Sequence, residues 1–354
     1  MGTSLPVRQL GTTDMNITRV GFGAWAIGGS GWSFAWGPQD DNESIAAMNH
    51  AVEVGVNWID TAAVYGLGHS EEVVGRFLSG KSADQRPYIF TKCGLVWDPK
   101  NPMTDPKRIL SPESIRRECE DSLRRLKIDR IDLYQFHWPD EASGTPVEAS
   151  WRVMEDLEKQ GKVRAIGVSN FDLSGLKKIE PIHHVQSLQP PFSLIRRDVA
   201  ATEIPWCNAN RTGVIVYSPM QSGILTDSFT IEKVKKMDDN DWRRRSANFQ
   251  TPRIERNVAL RNSLKPIAER HGTTVAAVAV AWTLAWPGVT GAIVGARSPS
   301  QIDGWIDAAN LTLTAADLDE IAAAIEKTGA GTGPTRPPSP QRKERVSESA
   351  AEVR

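Results

Sequence analysis

Three residues that could do chemistry close short β-prone runs: Asp60 in WIDTA, Lys92 in YIFTKC and His137 in IDLYQFH. A fourth, Tyr65, follows the aspartate by five positions in DTAAVYG. A free phenol, with a pKa near ~10, is too weak an acid to act unaided at neutral pH. An ammonium group beside it favours the phenolate, and a carboxylate keeps that ammonium charged and oriented. Flanked by an imidazole donor, such a hydroxyl can hydrogen-bond a carbonyl oxygen and protonate it as charge develops. Taken singly each residue has a plainer reading: a helix-capping aspartate, a solvated lysine, a core histidine. Taken together they make a proton-delivery set that lacks a nucleophile. No side chain supplies hydride, so a reduction requires a bound cofactor. The residues also fit a Schiff-base aldolase acting through Lys92, because a strand-end lysine with Tyr and Asp nearby suits that chemistry too.

These side chains can meet only if successive strands bring their ends to one rim. Short β-prone runs recur at 20–25, 58–62, 88–93, 131–137, 163–170, 184–189, 213–219 and 290–296. Helical patterns alternate with them. Residues 42–55 put Ile45, Met48, Ala51 and Val52 on one face, with Gly55 as a C-terminal stop. Residues 111–128 open with Ser111 as N-cap and Pro112 behind it, and 146–162 run from a proline to Gly161. Ser70, Asp172 and Ser300 sit near the starts of others. Eight strand–helix units over roughly 300 residues are the count of a (β/α)8 TIM barrel, which a doubly wound open sheet fits less well. In a barrel the reactive groups gather at the C-terminal ends of strands, where Asp60, Lys92 and His137 fall. Residues 7–20 read as an N-terminal β-hairpin, and residues 1–328 as one domain. The charged, poorly periodic stretch 224–255 reads as a functional or mobile loop. Residues 329–354 carry almost no large apolar side chains, and a disordered C-terminal tail is expected.

The stretch GFGAWA fits the dinucleotide fingerprint G-x-G-x-x-G/A through Gly21, Gly23 and Ala26, with Glu43 near the acidic position. That fingerprint requires a helix to open at once, and here none can start before about Asn42. The glycines read instead as a strand end that lets a flat group approach the backbone.

Composition bounds the partners. With 354 residues, a net charge of -1, 40% hydrophobic and 24% charged residues, the chain is an ordinary globular protein with no basic excess for nucleic acid or anionic membrane. No apolar run approaches the ~20 residues of a membrane span. MGTSLPVRQLG lacks the pattern of a signal peptide, and Pro6 spoils a myristoylation pattern at Gly2. Cys93, Cys119 and Cys207 are too scattered for a disulfide framework or metal cluster. His183 and His184 would point to opposite sides of a strand, so no metal is expected. A cytoplasmic protein is the expectation; nothing decides between monomer and homo-oligomer.

The set DTAxxYG, FTKCG and SLRRLKIDRIDLYQFHWPD resembles the aldo-keto reductases over roughly residues 5–328. The resemblance implies an NADPH-dependent (β/α)8 barrel that reduces a small-molecule carbonyl compound. It makes Tyr65 the general acid/base, Lys92 and Asp60 its tuning pair, and His137 the donor that orients the carbonyl. It also implies an NADP(H) site. Ser169, Asn170 and Gln189 would hold the nicotinamide carboxamide, with Tyr217 stacked on the ring and Gly23 and Trp25 beside it. Ser218, Met220, Gln221, Ser222 and Gly223 would form the pyrophosphate loop. Gly295, Arg297 and Gln301 would take the adenosine end, where a guanidinium fork suits a 2′-phosphate. The chain departs from the family in having Gly304 and Trp305 beyond Gln301, and Pro190, Pro191 and Phe192 after Gln189. The superfamily also contains channel-associated β subunits, so a nucleotide-binding regulatory subunit is a further reading. Of twelve tryptophans, Trp32, Trp36, Trp97, Trp138 and Trp242 fall on expected mouth loops and suggest an apolar or flat substrate. Trp242, with three arginines behind it, sits on a segment able to fold over the cofactor as a lid.

Overall fold

The computed structural model describes residues 4–82, 85–239 and 241–338. A hairpin of β1 (Val7–Gln9) and β2 (Asn16–Thr18) precedes the barrel strands β3 (Val20–Gly23), β4 (Trp58–Asp60) and β5 (Tyr88–Cys93). A small outer hairpin, β6 (Leu95–Val96) and β7 (Lys107–Arg108), then leads to β8 (Ile131–Phe136), β9 (Val163–Ser169), β10 (Ser187–Gln189), β11 (Gly213–Tyr217) and β12 (Val289–Gly295). The eight long-range strands are parallel and close on themselves in the order β3-β4-β5-β8-β9-β10-β11-β12. The seam between last and first pairs Ala292 with Val20 and Gly295 with Gly23.

Among the described residues, twelve helices accompany the strands: α1 (Asp41–Glu53), α2 (His69–Leu78), α3 (Pro112–Leu126), α4 (Val147–Lys159), α5 (Leu173–Ile179), α6 (Glu203–Asn210), α7 (Ile231–Lys235), α8 (Arg253–Ser263), α9 (Lys265–Arg270), α10 (Val275–Leu284), α11 (Pro299–Asp303) and α12 (Ala315–Thr328). Strands covered on both faces read as continuous apolar runs, and β8 is buried along its whole length. Inside the ring, Trp58, Phe90, Leu133, Ala165, Ile215 and Ile293 pack together, with Leu10, Met15 and Ile17 of the hairpin against them. The indole of Trp58 explains the first glycine of the false fingerprint. A Cβ at Gly21 would lie 2.1 Å from that ring, so the flat group at the backbone there is the chain's own tryptophan.

Several boundaries move from their expected places. The run at 184–189 contributes only its last three residues to β10, since His184 and Gln186 turn outward to Glu180 and Glu158. The buried stripe of α1 is Ser44, Ala47, Met48 and Ala51, with Ile45 and Val52 at its margin. Ser111 caps α3 and Asp172 caps α5. Ser70 and Ser300 stand near helix starts as expected, each the second residue of its helix, α2 and α11, and Ser70 donates its hydroxyl to the Ala24 carbonyl. The 224–255 segment holds α7 and two 3-10 turns at Trp242–Arg245 and Ala247–Phe249. The expected disordered tail begins within the packed body. Thr332 bridges to Arg196, Ala330 is buried, and the Arg197 guanidinium donates to the carbonyls of Ala330 and Gly333. Residues 339–354 lie outside the described residues.

Candidate active site

Asp60 ends β4, Lys92 lies one residue before the end of β5, and His137 follows β8. Asp60 pairs across to Phe90, and Lys92 to Gln135. These neighbouring strand ends bring the Lys92 Nζ to 2.5 Å from Asp60 Oδ1, where it also donates to the Thr61 carbonyl at 2.8 Å. Both partners are almost wholly enclosed, at 1% and 2% exposure. Lys92 reaches the Tyr65 hydroxyl at 3.5 Å, and the Tyr65 and His137 rings meet edge to face at 5.6 Å. Tyr65 is aimed by a turn that requires a glycine at its second position. Gly66 has φ +61, and a Cβ on it would stand 2.0 Å from the Gly28 carbonyl oxygen. The Gly28 backbone packs just as tightly on the turn, which accounts for that part of the opening glycine run.

Burial sets the protonation states. Desolvation, reinforced by the Asp60 carboxylate, pushes the Tyr65 phenol well above its ordinary value. The net shift is upward, so burial outweighs the lowering expected from Lys92. The ammonium is committed to Asp60 and to the Thr61 carbonyl, and stands at the outer limit of hydrogen bonding from the phenol. Burial lowers Lys92 itself, against the pull of Asp60. Burial and the Lys92 charge push His137 well below the usual imidazole range, so it is neutral at pH 7.

A cavity of about 930 Å³ opens over this set. Asp60, Tyr65 and His137 form part of its wall; Lys92 lies behind Asp60 and contributes none of that wall. A Schiff base at Lys92 would need an amine open to the cleft, which this position does not offer. Of the residues expected at the cofactor, all but Gln221 line the cavity. The Gln221 side chain instead accepts from the Ser193 hydroxyl at 2.7 Å and braces the loop from behind. Ser169 ends β9 and Asn170 follows it. The Asn170 amide donates to the His137 carbonyl at 2.9 Å and accepts from the Tyr217 hydroxyl at 2.8 Å. Gln189 donates its amide to Asp60 Oδ2 at 2.8 Å, joining the expected carboxamide site to the Asp60 carboxylate. Ser218, Gln221 and Ser222 take left-handed backbone conformations ahead of Gly223. Such strain persists where the surroundings impose it, often at ligand clamps.

The mouth is aromatic. Trp32, Trp36 and Trp138 line the cavity; Trp97 and Trp242 do not. Trp97 packs in the small cluster around Trp32, Ala62 and Val64. Trp242 stacks on Trp25 with ring centroids 5.1 Å apart and meets Trp36 edge to face. Arg245 donates to the Ser33 carbonyl, so the 241–249 segment is tied to the loop leaving β3. Trp305, at 1% exposure, lies in the cavity wall beyond Gln301, and its buried Nε1 has no partner among the described residues. Sequence reading missed Gln39, which holds Arg297, and Gln135, a fully buried amide that accepts from Gln189 at 3.4 Å. No residue pattern announces either one. His183 and His184 each meet a carboxylate, Glu158 and Glu180.

The sequence profile of the aldo/keto reductase family matches residues 19–326. The chain is 34% identical over 321 residues to aldo-keto reductase YhdN of Bacillus subtilis, covering 90% of this chain and 93% of that one. It is also 34% identical to the NADH-specific methylglyoxal reductase of Escherichia coli, covering 90% and 98%. Among solved structures, the glycerol dehydrogenase AKR11B4 of Gluconobacter oxydans superposes with a TM-score of 0.81 at 34% identity, covering 93% and 98%. The holo form of AKR11C1 from Bacillus halodurans gives 0.74 at 25%, covering 90% and 96%.

Proposed function

The chain belongs to the aldo/keto reductase family, and from that premise we propose that it moves hydride between NADP(H) and a small carbonyl compound, with Tyr65 as general acid/base. The observation that carries this reading is the meeting of Tyr65, Asp60 and His137 at one wall of the cavity, with Lys92 paired to Asp60 behind it.

The residues present fit a dinucleotide. The cavity lies within the range of ligand sites, carboxamide and hydroxyl groups sit at one end, and an unpartnered indole N–H lies at the other. Ser169, Asn170 and Gln189 would hold the nicotinamide carboxamide, and Tyr217 would present a face to the ring. Ser218, Met220, Ser222 and Gly223 would take the pyrophosphate. Gly295, Arg297 and Gln301 would take the adenosine end, and the Arg297 fork is the reason for preferring a 2′-phosphate. When bound, the cofactor supplies the hydride. The protein supplies the proton. Tyr65, neutral at pH 7, donates its hydroxyl proton to the carbonyl oxygen. The Lys92 ammonium stabilises the phenolate that remains, and Asp60 keeps Lys92 charged and in place. Neutral His137 donates an N–H that orients the carbonyl oxygen. The tryptophan-lined mouth keeps water from the reacting groups. In the opposite direction the phenolate accepts the proton of an alcohol. The methylglyoxal and glycerol named for two relatives support a small substrate. The three buried free cysteines suit a reducing cytoplasm.

Tyr65→Phe is expected to keep NADPH affinity and to lose on the order of 10²–10⁴ in turnover of a simple aldehyde. Turnover equal to wild type would show the acid is misassigned. A wild-type protein that binds NADPH and turns over no carbonyl compound would favour the regulatory-subunit reading.

A further inference from the structure

Arg297 is the group on which an NADP preference rests, and all three of its guanidinium nitrogens already donate within the chain. Nε gives to Gln39 Oε1 at 2.6 Å, Nη1 to the Trp36 carbonyl at 3.4 Å, and Nη2 to the Pro38 carbonyl. Gln39 returns the contact, its amide donating to the Arg297 carbonyl at 2.9 Å and to the Ser44 hydroxyl at 3.0 Å. The amide thus grips both the side chain and the backbone of one arginine. The Arg297 backbone N–H is taken as well, by Gln301 Oε1 at 2.9 Å. A second guanidinium on the same cavity wall, that of Arg243, is likewise engaged. Its Nε lies 3.0 Å and 3.2 Å from the two oxygens of Asp241, and its Nη2 is 2.5 Å from Oδ2. The adenosine end therefore holds two cations, each already paired or hydrogen-bonded to protein groups.

We propose that Gln39 is a specificity-determining residue. By holding the Arg297 guanidinium on the loop of Trp36 and Pro38, it withholds that group from a 2′-phosphate and narrows the preference for NADP(H) over NAD(H). This rests on the cofactor reading above. A phosphate must draw the guanidinium away from Gln39 or accept its remaining N–H groups, whereas a 2′-hydroxyl asks for no such exchange. The forked, planar geometry that makes arginine a good phosphate ligand works only when its paired N–H edge is free.

The test is equilibrium binding, by calorimetry, of 2′,5′-ADP and of 5′-AMP, which differ by the 2′-phosphate and need no catalysis. Gln39 is half-buried on a loop, and two replacements, Gln39→Leu and Gln39→Ala, each checked by circular dichroism, guard against a folding artefact. Both are expected to raise the affinity ratio of 2′,5′-ADP to 5′-AMP by roughly fivefold to tenfold, the equivalent of about one hydrogen bond. Arg297→Gln is expected to abolish that gain when combined with either. An unchanged ratio overturns the inference alone. A reduced ratio also overturns it, since Gln39 would then be presenting Arg297 to the phosphate. Failure of both nucleotides to bind wild type overturns the cofactor reading and the inference with it.

Discussion

At the scale of single residues, the Asp60–Lys92 pair shows how burial changes what a charge does. The two groups are enclosed together, and each holds the other's ionised form against desolvation. Removing one member leaves the other charged without a partner, which costs about 3–5 kcal/mol. Lys92→Met is accordingly expected to lower stability by about that amount in urea titration. Adding Asp60→Asn should recover most of it without restoring turnover. A single mutant as stable as wild type would show that the pair is not coupled. The residue types of this pair, with Tyr65 and His137, were legible from the sequence because each stands at or just beyond a β-prone run. The sign of the phenol's shift was not legible. It depends on how deeply the fold buries Tyr65, and no spacing reports that. Gln39 was illegible for a different reason: a polar loop residue looks solvated until its partner, 258 positions away, is known.

At the scale of elements, the turn after β5 shows how a neighbouring helix fixes the lysine strand. Glu118 of α3 accepts from the Gly94 backbone N–H at 2.8 Å and from the Ser114 hydroxyl at 2.9 Å. Burial raises its carboxyl from the ordinary 4.5 to about 6. Between those two values the folded chain keeps a proton that the unfolded chain releases. This group's contribution to stability is therefore largest below pH 4.5, falls as pH rises to about 6, and is flat above. The fall amounts to about 2 kcal/mol, at about 1.4 kcal/mol per pH unit. Glu118→Gln should remove that component from the pH dependence of the urea midpoint; an unaltered slope would place the titration elsewhere. The rhythm of strands and helices could be read from β-prone runs and caps such as Ser111 and Asp172. Element ends were harder. α10 is buried on all sides, so its sequence VAAVAVAWTL carries no amphipathic stripe to mark it. The loop at 241–249 was legible as a mouth segment carrying Trp242, but not the contacts of Trp242 and Arg245 that bind it to the loop from β3.

At the scale of the whole molecule, the packed body runs past the last helix. The segment GAGTG reads as disordered by composition because it has no large side chains, yet that is why it fits. A Cβ at Gly331 would lie 1.8 Å from the Ile195 carbonyl, and buried Arg197 takes the backbone carbonyls that the segment offers. A chain ending at Thr328 is expected to be about 1.5–3 kcal/mol less stable than one ending at Pro338, the worth of hydrogen bonds to a charged group. Equal urea midpoints would show the segment to be ornamental. The barrel's seam has its own consequence. β3 begins at residue 20 and its neighbour β12 at residue 289, so the last hydrogen-bonded joint of the cylinder waits until some 270 further residues have been synthesised. Until then the first strand carries a bare row of backbone amides and carbonyls, open to other nascent chains. Until that joint forms the ring keeps an open edge, and a delay in translation before residue 289 is expected to lengthen the time that edge is exposed.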